Sequence, residues 1–132
     1  HIVGAATGLP LRHEEAAFRA PLEGAGYRAE ELFYFGESVL LPAFRGRGIG
    51  HAFFDAREAQ ARGLPGIGHT ACCAGRRAAD DPRRPEGARA LEPFWRGRGY
   101  APLPGVAARF PWTEVGSGAE TVQTLDFWAR AL

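Results

Sequence analysis

The 132-residue chain contains no lysine, no asparagine and no methionine, and only two cysteines. All sixteen basic residues are therefore arginine, a planar fork better suited to phosphate than the lysine ammonium. Without methionine, His1 is not a natural start. The chain opens directly on the strand-like Ile2-Val3-Gly4-Ala5-Ala6-Thr7, so residues upstream are expected to be absent. No apolar run approaches the roughly 20 residues that span a bilayer, and no basic-then-apolar leader precedes the first strand. A cytoplasmic protein without membrane attachment is the expectation. A surplus of either charge is also missing: the net charge of +1 gives no global pull toward nucleic acid or lipid. Cys72 and Cys73 are adjacent in an apolar stretch, and neighbours on a strand point to opposite faces. They are poor disulfide partners and read as two small buried hydrophobes.

What is present is an ordinary globular composition, 45% hydrophobic and 23% charged, enough for one domain with a real core. Residues 1–8 read as a strand ending near Gly8-Leu9-Pro10. His13 to Leu22 has helical spacing with Ala16, Ala17 and Ala20 on one side. Glu31 to Leu41, rich in Phe, Tyr, Val and Leu, is the longest strand candidate. A helix follows, with Ile49, Ala52, Phe53, Ala56 and Ala59 as its inward stripe, Glu58 and Arg62 as an i,i+4 pair, and Gly63 with Pro65 as the stop. Ile67 to Ala74 is the next strand, parallel to the one before the helix. Gly75 to Gly87 is a long polar loop dense in Arg, Asp and Pro, and Leu91 to Arg96 a short helix. Val106 to Thr113 and Thr121 to Trp128 form a closing hairpin around Gly116-Ser117-Gly118. The order predicts a mixed α/β fold.

The densest chemical signal is Leu40-Leu41-Pro42-Ala43-Phe44-Arg45-Gly46-Arg47-Gly48-Ile49-Gly50, an apolar strand entering a glycine-rich turn that opens the helix. Such a turn points backbone N–H groups at the place where the unpaired first-turn donors and the positive dipole end also face. That is a seat for phosphate or diphosphate. It is not a P-loop, because no Lys-Ser or Lys-Thr follows, and Gly46, Gly48 and Gly50 lack the Gly-x-Gly-x-x-Gly spacing of dinucleotide folds. Taken alone, a tight strand-to-helix corner is the alternative reading of the turn.

Arg45-Gly46-Arg47-Gly48-Ile49-Gly50 fits Arg/Gln-x-x-Gly-x-Gly/Ala, the motif by which the GNAT superfamily of acetyl-CoA-dependent N-acetyltransferases holds the coenzyme diphosphate. Val39-Leu40-Leu41-Pro42 resembles that family's splayed fourth strand. Phe94-Trp95-Arg96-Gly97-Arg98-Gly99-Tyr100 resembles its Phe-Tyr-x-x-x-Gly-Phe segment, and the hairpin ending Leu125-Asp126-Phe127-Trp128 its last two strands. The resemblance covers about residues 31–132. It implies a mixed, centrally splayed sheet flanked by helices, lacking the N-terminal strand and helices that supply part of the acceptor pocket.

The resemblance also implies acetyl transfer from acetyl-CoA to a primary amine of a small molecule or peptide. The amides of Arg45, Gly46, Arg47, Gly48, Ile49, Gly50 and His51 would hold the diphosphate. Val39, Leu40 and Leu41 would pair with the pantetheine arm, with a backbone N–H near Leu40 as oxyanion donor. Glu37 is the candidate general base, with a solvent-facing strand carboxylate as the alternative, and His69 is a weaker candidate. The family's proton-donating Tyr is replaced by Trp95, whose indole is no useful acid; Tyr100 matches a core Phe. An acetyl-CoA-binding regulatory or vestigial module is therefore the alternative. The Arg76-Arg77, Asp80-Asp81 and Arg83-Arg84 loop is either a solvated surface or a feature favouring an anionic acceptor. Trp112 and Trp128 sit at strand spacing and read as core. No metal and no nucleic acid is called for, since the Arg-Gly-Arg-Gly pairs are isolated and embedded in elements. Oligomeric state is left open, a homodimer included.

Overall fold

The computed structural model describes residues 1–75, 91–113 and 120–132. Eight main elements follow in order: β1 (Gly4–Pro10), α1 (Ala16–Gly24), β2 (Leu32–Leu40), α2 (Ile49–Arg62), β3 (His69–Gly75), α3 (Glu92–Gly97), β4 (Ala101–Thr113) and β5 (Glu120–Ala131). The strands form one mixed sheet in the order β1-β2-β3-β5-β4. β2 and β3 run parallel, as a crossover through α2 allows, and the other neighbours are antiparallel. The Gly116-Ser117-Gly118 turn, the Arg76–Arg84 loop and the Trp112 side chain lie outside the described residues.

Alternation along β2 sends side chains into two cores. Leu32 and Tyr34 join Leu11, Leu22 and Phe127 under α1, while Phe33 and Phe35 join Phe54, Trp95, Tyr100 and Trp128 under α2 and α3. This double cover explains the nearly continuous apolar run of β2. The same alternation separates the cysteines: Cys72 lies in the second core and Cys73 against the first.

Two expectations are corrected. The inward face of α2 is Phe54, Arg57, Glu58 and Ala61, whereas Ala52, Ala56 and Ala59 are exposed. Two charged residues turn inward because partners wait there, so the apolar count misplaced the stripe. Glu58 makes no surface pair with Arg62; it is buried and bonded to Arg98, Arg130 and Tyr100. In α1 the inward residues are Phe18 and Leu22, and Ala16, Ala17 and Ala20 face solvent.

The pairing of β2 with β3 is short. Only Leu32, Phe33 and Tyr34 match His69, Thr70 and Ala71, after which β2 stays with β1 out to Leu40 and β3 stays with β5 out to Gly75. The sheet is splayed at its centre, as the family resemblance implies.

Candidate functional site

The splay opens beside the N-terminus of α2. Leu41 N–H donates to Val3 C=O at 2.8 Å. Antiparallel alternation then turns the N–H and C=O of Leu40 away from β1, into the splay. Val39 and Leu41 direct their main-chain groups to β1, and their side chains are exposed. The main-chain pairing expected of all three residues thus falls to Leu40 alone. Its C=O accepts from Arg45 Nε at 3.2 Å.

After Leu40 the chain turns through Pro42–Phe44 and reaches α2 by way of Gly46 and Gly48, both in the left-handed region at φ +76° and +81°. A side chain costs about 1–2 kcal/mol there. Among the described residues, nothing accepts from the N–H groups of Gly46 through His51; Ala52 N–H is the first to close a helical bond, to Gly48 C=O. No acidic side chain sits in the first turn and no side chain caps it, so the positive end of α2 is left open to solvent. Residues 45–48 are exposed, and a Cβ added at Gly48 would meet nothing. Gly50 serves another purpose: its bare Cα faces the Phe94 ring, which a Cβ there would approach to 3.6 Å. Arg47 lies over Phe44. The His51 ring packs at 4.6 Å on Phe94 and takes up Arg98 at 3.1 Å.

Glu37 sits where β1 bulges. The irregularity between Ala6 and Gly8 aims Thr7 Oγ1 at Glu37 N–H, 2.8 Å away, and only a glycine at position 36 leaves room for that hydroxyl. The Thr7 carbonyl accepts from Arg57 at 3.1 Å, with the guanidinium also stacked 4.4 Å from Phe35. Burial lowers the Arg57 pKa from its ordinary value, yet the residue remains the cation that ties α2 to the bulge. Thr7, Gly36 and Arg57 were missed by sequence reasoning; the only available sign was an arginine one position off the assumed stripe.

Two hollows meet at the splay, both touching Gly36 and Cys73. One, about 270 Å³, lies on the α2–α3 face between Phe54, Phe94 and Trp95. The other, about 670 Å³, lies on the α1 face and is bordered by Glu37. On the α1 face, the Tyr34 hydroxyl and Cys73 Sγ are 2.9 Å apart. Burial, then the neighbouring thiol, holds the Tyr34 phenol far above its usual pKa, so it stays protonated. Cys73 is also raised, chiefly by burial.

His69 is not at this site: it begins β3 opposite Leu32, at the other end of β2 from Leu40, and packs edge-on against Tyr27. Trp95 is buried with its ring 5.2 Å from Trp128. Tyr100 is core, its hydroxyl shared between Thr70 and Glu58.

No protein-family model matches the sequence, and no curated protein does. The fold does match solved structures. Arabidopsis thaliana NAA60 in complex with a bisubstrate analogue superposes with a TM-score of 0.60 at 13% identity, over 99% of this chain and 66% of that one. The IAA acetyltransferase of Bacillus cereus gives 0.58 at 11%, over 100% and 71%. GphF, a GNAT-like decarboxylase in complex with isobutyryl-CoA, gives 0.52 at 18%, over 98% and 72%. The chain thus spans just under two thirds of the length of NAA60. What it shares with these acetyltransferase and GNAT-like structures is the fold.

Proposed function

We propose that the chain is an acetyl-CoA-dependent N-acetyltransferase acting on a primary amine of a small molecule or peptide. One observation carries the reading: a run of unclaimed amides from Gly46 to His51 stands at an uncapped helix start, next to an opening into which Leu40 directs its main chain. Those amides, with Arg45 and Arg47 adding charge, suit a diphosphate. Arg45 would exchange Leu40 C=O for phosphate, freeing that carbonyl for an amide of the extended arm. Leu40 N–H would stabilise the thioester oxygen as it gains charge. Glu37, its backbone pinned by Thr7, would take the ammonium proton directly or through water. The amine nitrogen then bonds to the acyl carbon and gives up a second proton to solvent, the carbon–sulfur bond breaks, and the thiolate draws one proton from solvent.

A second reading is a coenzyme-binding module without efficient transfer. The buried Trp95–Trp128 contact favours it, because the resemblance puts a proton-donating Tyr at that position. The decarboxylase among the structural neighbours adds that the fold does not by itself dictate transfer.

Calorimetric titration of acetyl-CoA into the wild type and Gly48→Leu, with thiol release across an amine panel, tests both. The wild type binds; the variant keeps its circular dichroism and binds at least about tenfold more weakly, since a side chain at +81° intrudes on the seat. Normal binding by the variant would remove the diphosphate from this corner. Binding without thiol release on any amine favours the second reading.

A further inference from the structure

Resting on the transferase reading above, we infer that the acceptor is a compact monoamine: one ammonium on an apolar, preferably aromatic, body, with no carboxylate of its own. The hollow on the α1 face carries this. Its floor joins Phe18 of α1, Tyr34 of β2 and Phe110 of β4, with Phe18 centred 5.1 Å from Phe110 and 5.9 Å from Tyr34. Its border is acidic, formed by Glu14, Glu15 and Glu37, and among the described residues no arginine or histidine lines it. Arg19, on α1, stands beside that border, held by Glu23 at 3.1 Å and by the Glu14 carbonyl at 3.0 Å, without itself lining the hollow. Arg57 stacks on Phe35, beneath the opposite face of the sheet.

The carboxylates and the aromatic floor act on different parts of a ligand. A cation entering the hollow exchanges water for three like-signed carboxylates, and its body packs on rings. An amino acid or acidic peptide brings its own carboxylate against that border and is rejected by like charge. A polyamine satisfies the border but leaves a second ammonium over an apolar floor. The arginine-rich segment that would speak for an anionic acceptor lies outside the described residues.

The test measures binding of phenethylamine, phenethyl alcohol, phenylalanine and spermidine by calorimetry and amide NMR, with no coenzyme present. Glu14→Gln removes a charge but keeps the oxygen that accepts from Glu15 N–H at 2.8 Å. Phenethylamine should bind and shift resonances of Phe18 and Leu125. Phenylalanine and spermidine should bind about tenfold more weakly. Glu14→Gln should cost phenethylamine about fivefold, the scale of one partly exposed ion pair, and leave phenethyl alcohol unaffected. Glu15→Gln gives the same loss if the first variant does not fold. No phenethylamine binding, equal binding of phenylalanine or spermidine, or indifference to both variants would overturn the assignment. Loss of acetyl-CoA binding with this amine preference intact would instead sink the transferase reading alone.

Discussion

Glu37 owes its place to two residues that carry no obvious chemistry. Thr7 supplies a hydroxyl to its N–H, and Gly36 supplies the space for that hydroxyl. If Glu37 is the base, Glu37→Gln lowers kcat by about 10²–10⁴-fold while acetyl-CoA binds as before, because the proposed diphosphate seat lies beyond Leu40. Steady-state kinetics beside calorimetry reads the two apart; a fall in coenzyme affinity with kcat preserved would place Glu37 in binding instead. What sequence made legible at this scale was main-chain chemistry: the glycine-rich segment announced a turn, in which Gly46 and Gly48 take the left-handed φ that glycine adopts freely. Side-chain partnerships were not legible. Thr7 and Glu37, or Arg57 and Thr7, are brought together by a bulge and a helix azimuth, which spacing along one chain does not encode.

Helix α2 is held by charge as well as by its apolar residues. Glu58 is nearly fully buried and receives Arg98 at 2.9 Å, Arg130 at 3.1 Å and the Tyr100 hydroxyl at 2.8 Å, joining α2 to the segment after α3 and to β5. Removing one partner of a buried pair strands the others. Glu58→Ala should therefore lower unfolding free energy by about 3–5 kcal/mol, measured by urea denaturation. A loss no greater than that of a surface substitution would show the network to be solvated. The neighbouring Asp55 behaves differently. Its exposed carboxylate accepts from Arg98 at 2.6 Å, and that hydrogen bond holds its pKa below the ordinary value. A lowered folded-state pKa gives stability that is complete above the unfolded value, about 3.9, and fades as pH falls through the folded one. Wild type should melt above Asp55→Asn at pH 7, and the gap should close as pH falls below the unfolded value and through the folded one. A gap constant with pH would assign the difference to packing. Elements and their order were readable because apolar periodicity and glycine-proline stops are local. The azimuth of α2 was not, since Arg57 and Glu58 look solvent-facing until Arg98 and Arg130 arrive from distant parts of the chain.

Across the whole molecule, both faces of the sheet are covered, and the thiols report on that cover. Burial pushes the Cys72 pKa up to about 12, so at pH 8 it is an uncharged, sequestered thiol. Cys73, half-buried and also raised, should react slowly with a disulfide reagent, while Cys72 reacts only on unfolding. Two fast thiols in native protein would mean that the α2–α3 face opens readily. Among the described residues no helix is long and apolar enough to cross a membrane. The parallel β2–β3 pair and the closing hairpin follow the sequence-based expectation, because a strand–helix–strand order and a turn-linked pair each allow few arrangements.

A sheet with vacant rungs usually invites another polypeptide to add itself at the rim. Here the strand-unpaired main chain of Leu40, its C=O held by Arg45, lies inside the sheet, with β1 on one flank and the diverging β3 on the other. On the proposed reading, a neighbouring molecule's strand would need room for side chains above and below, whereas a slender amide-bearing arm would need only the opening itself.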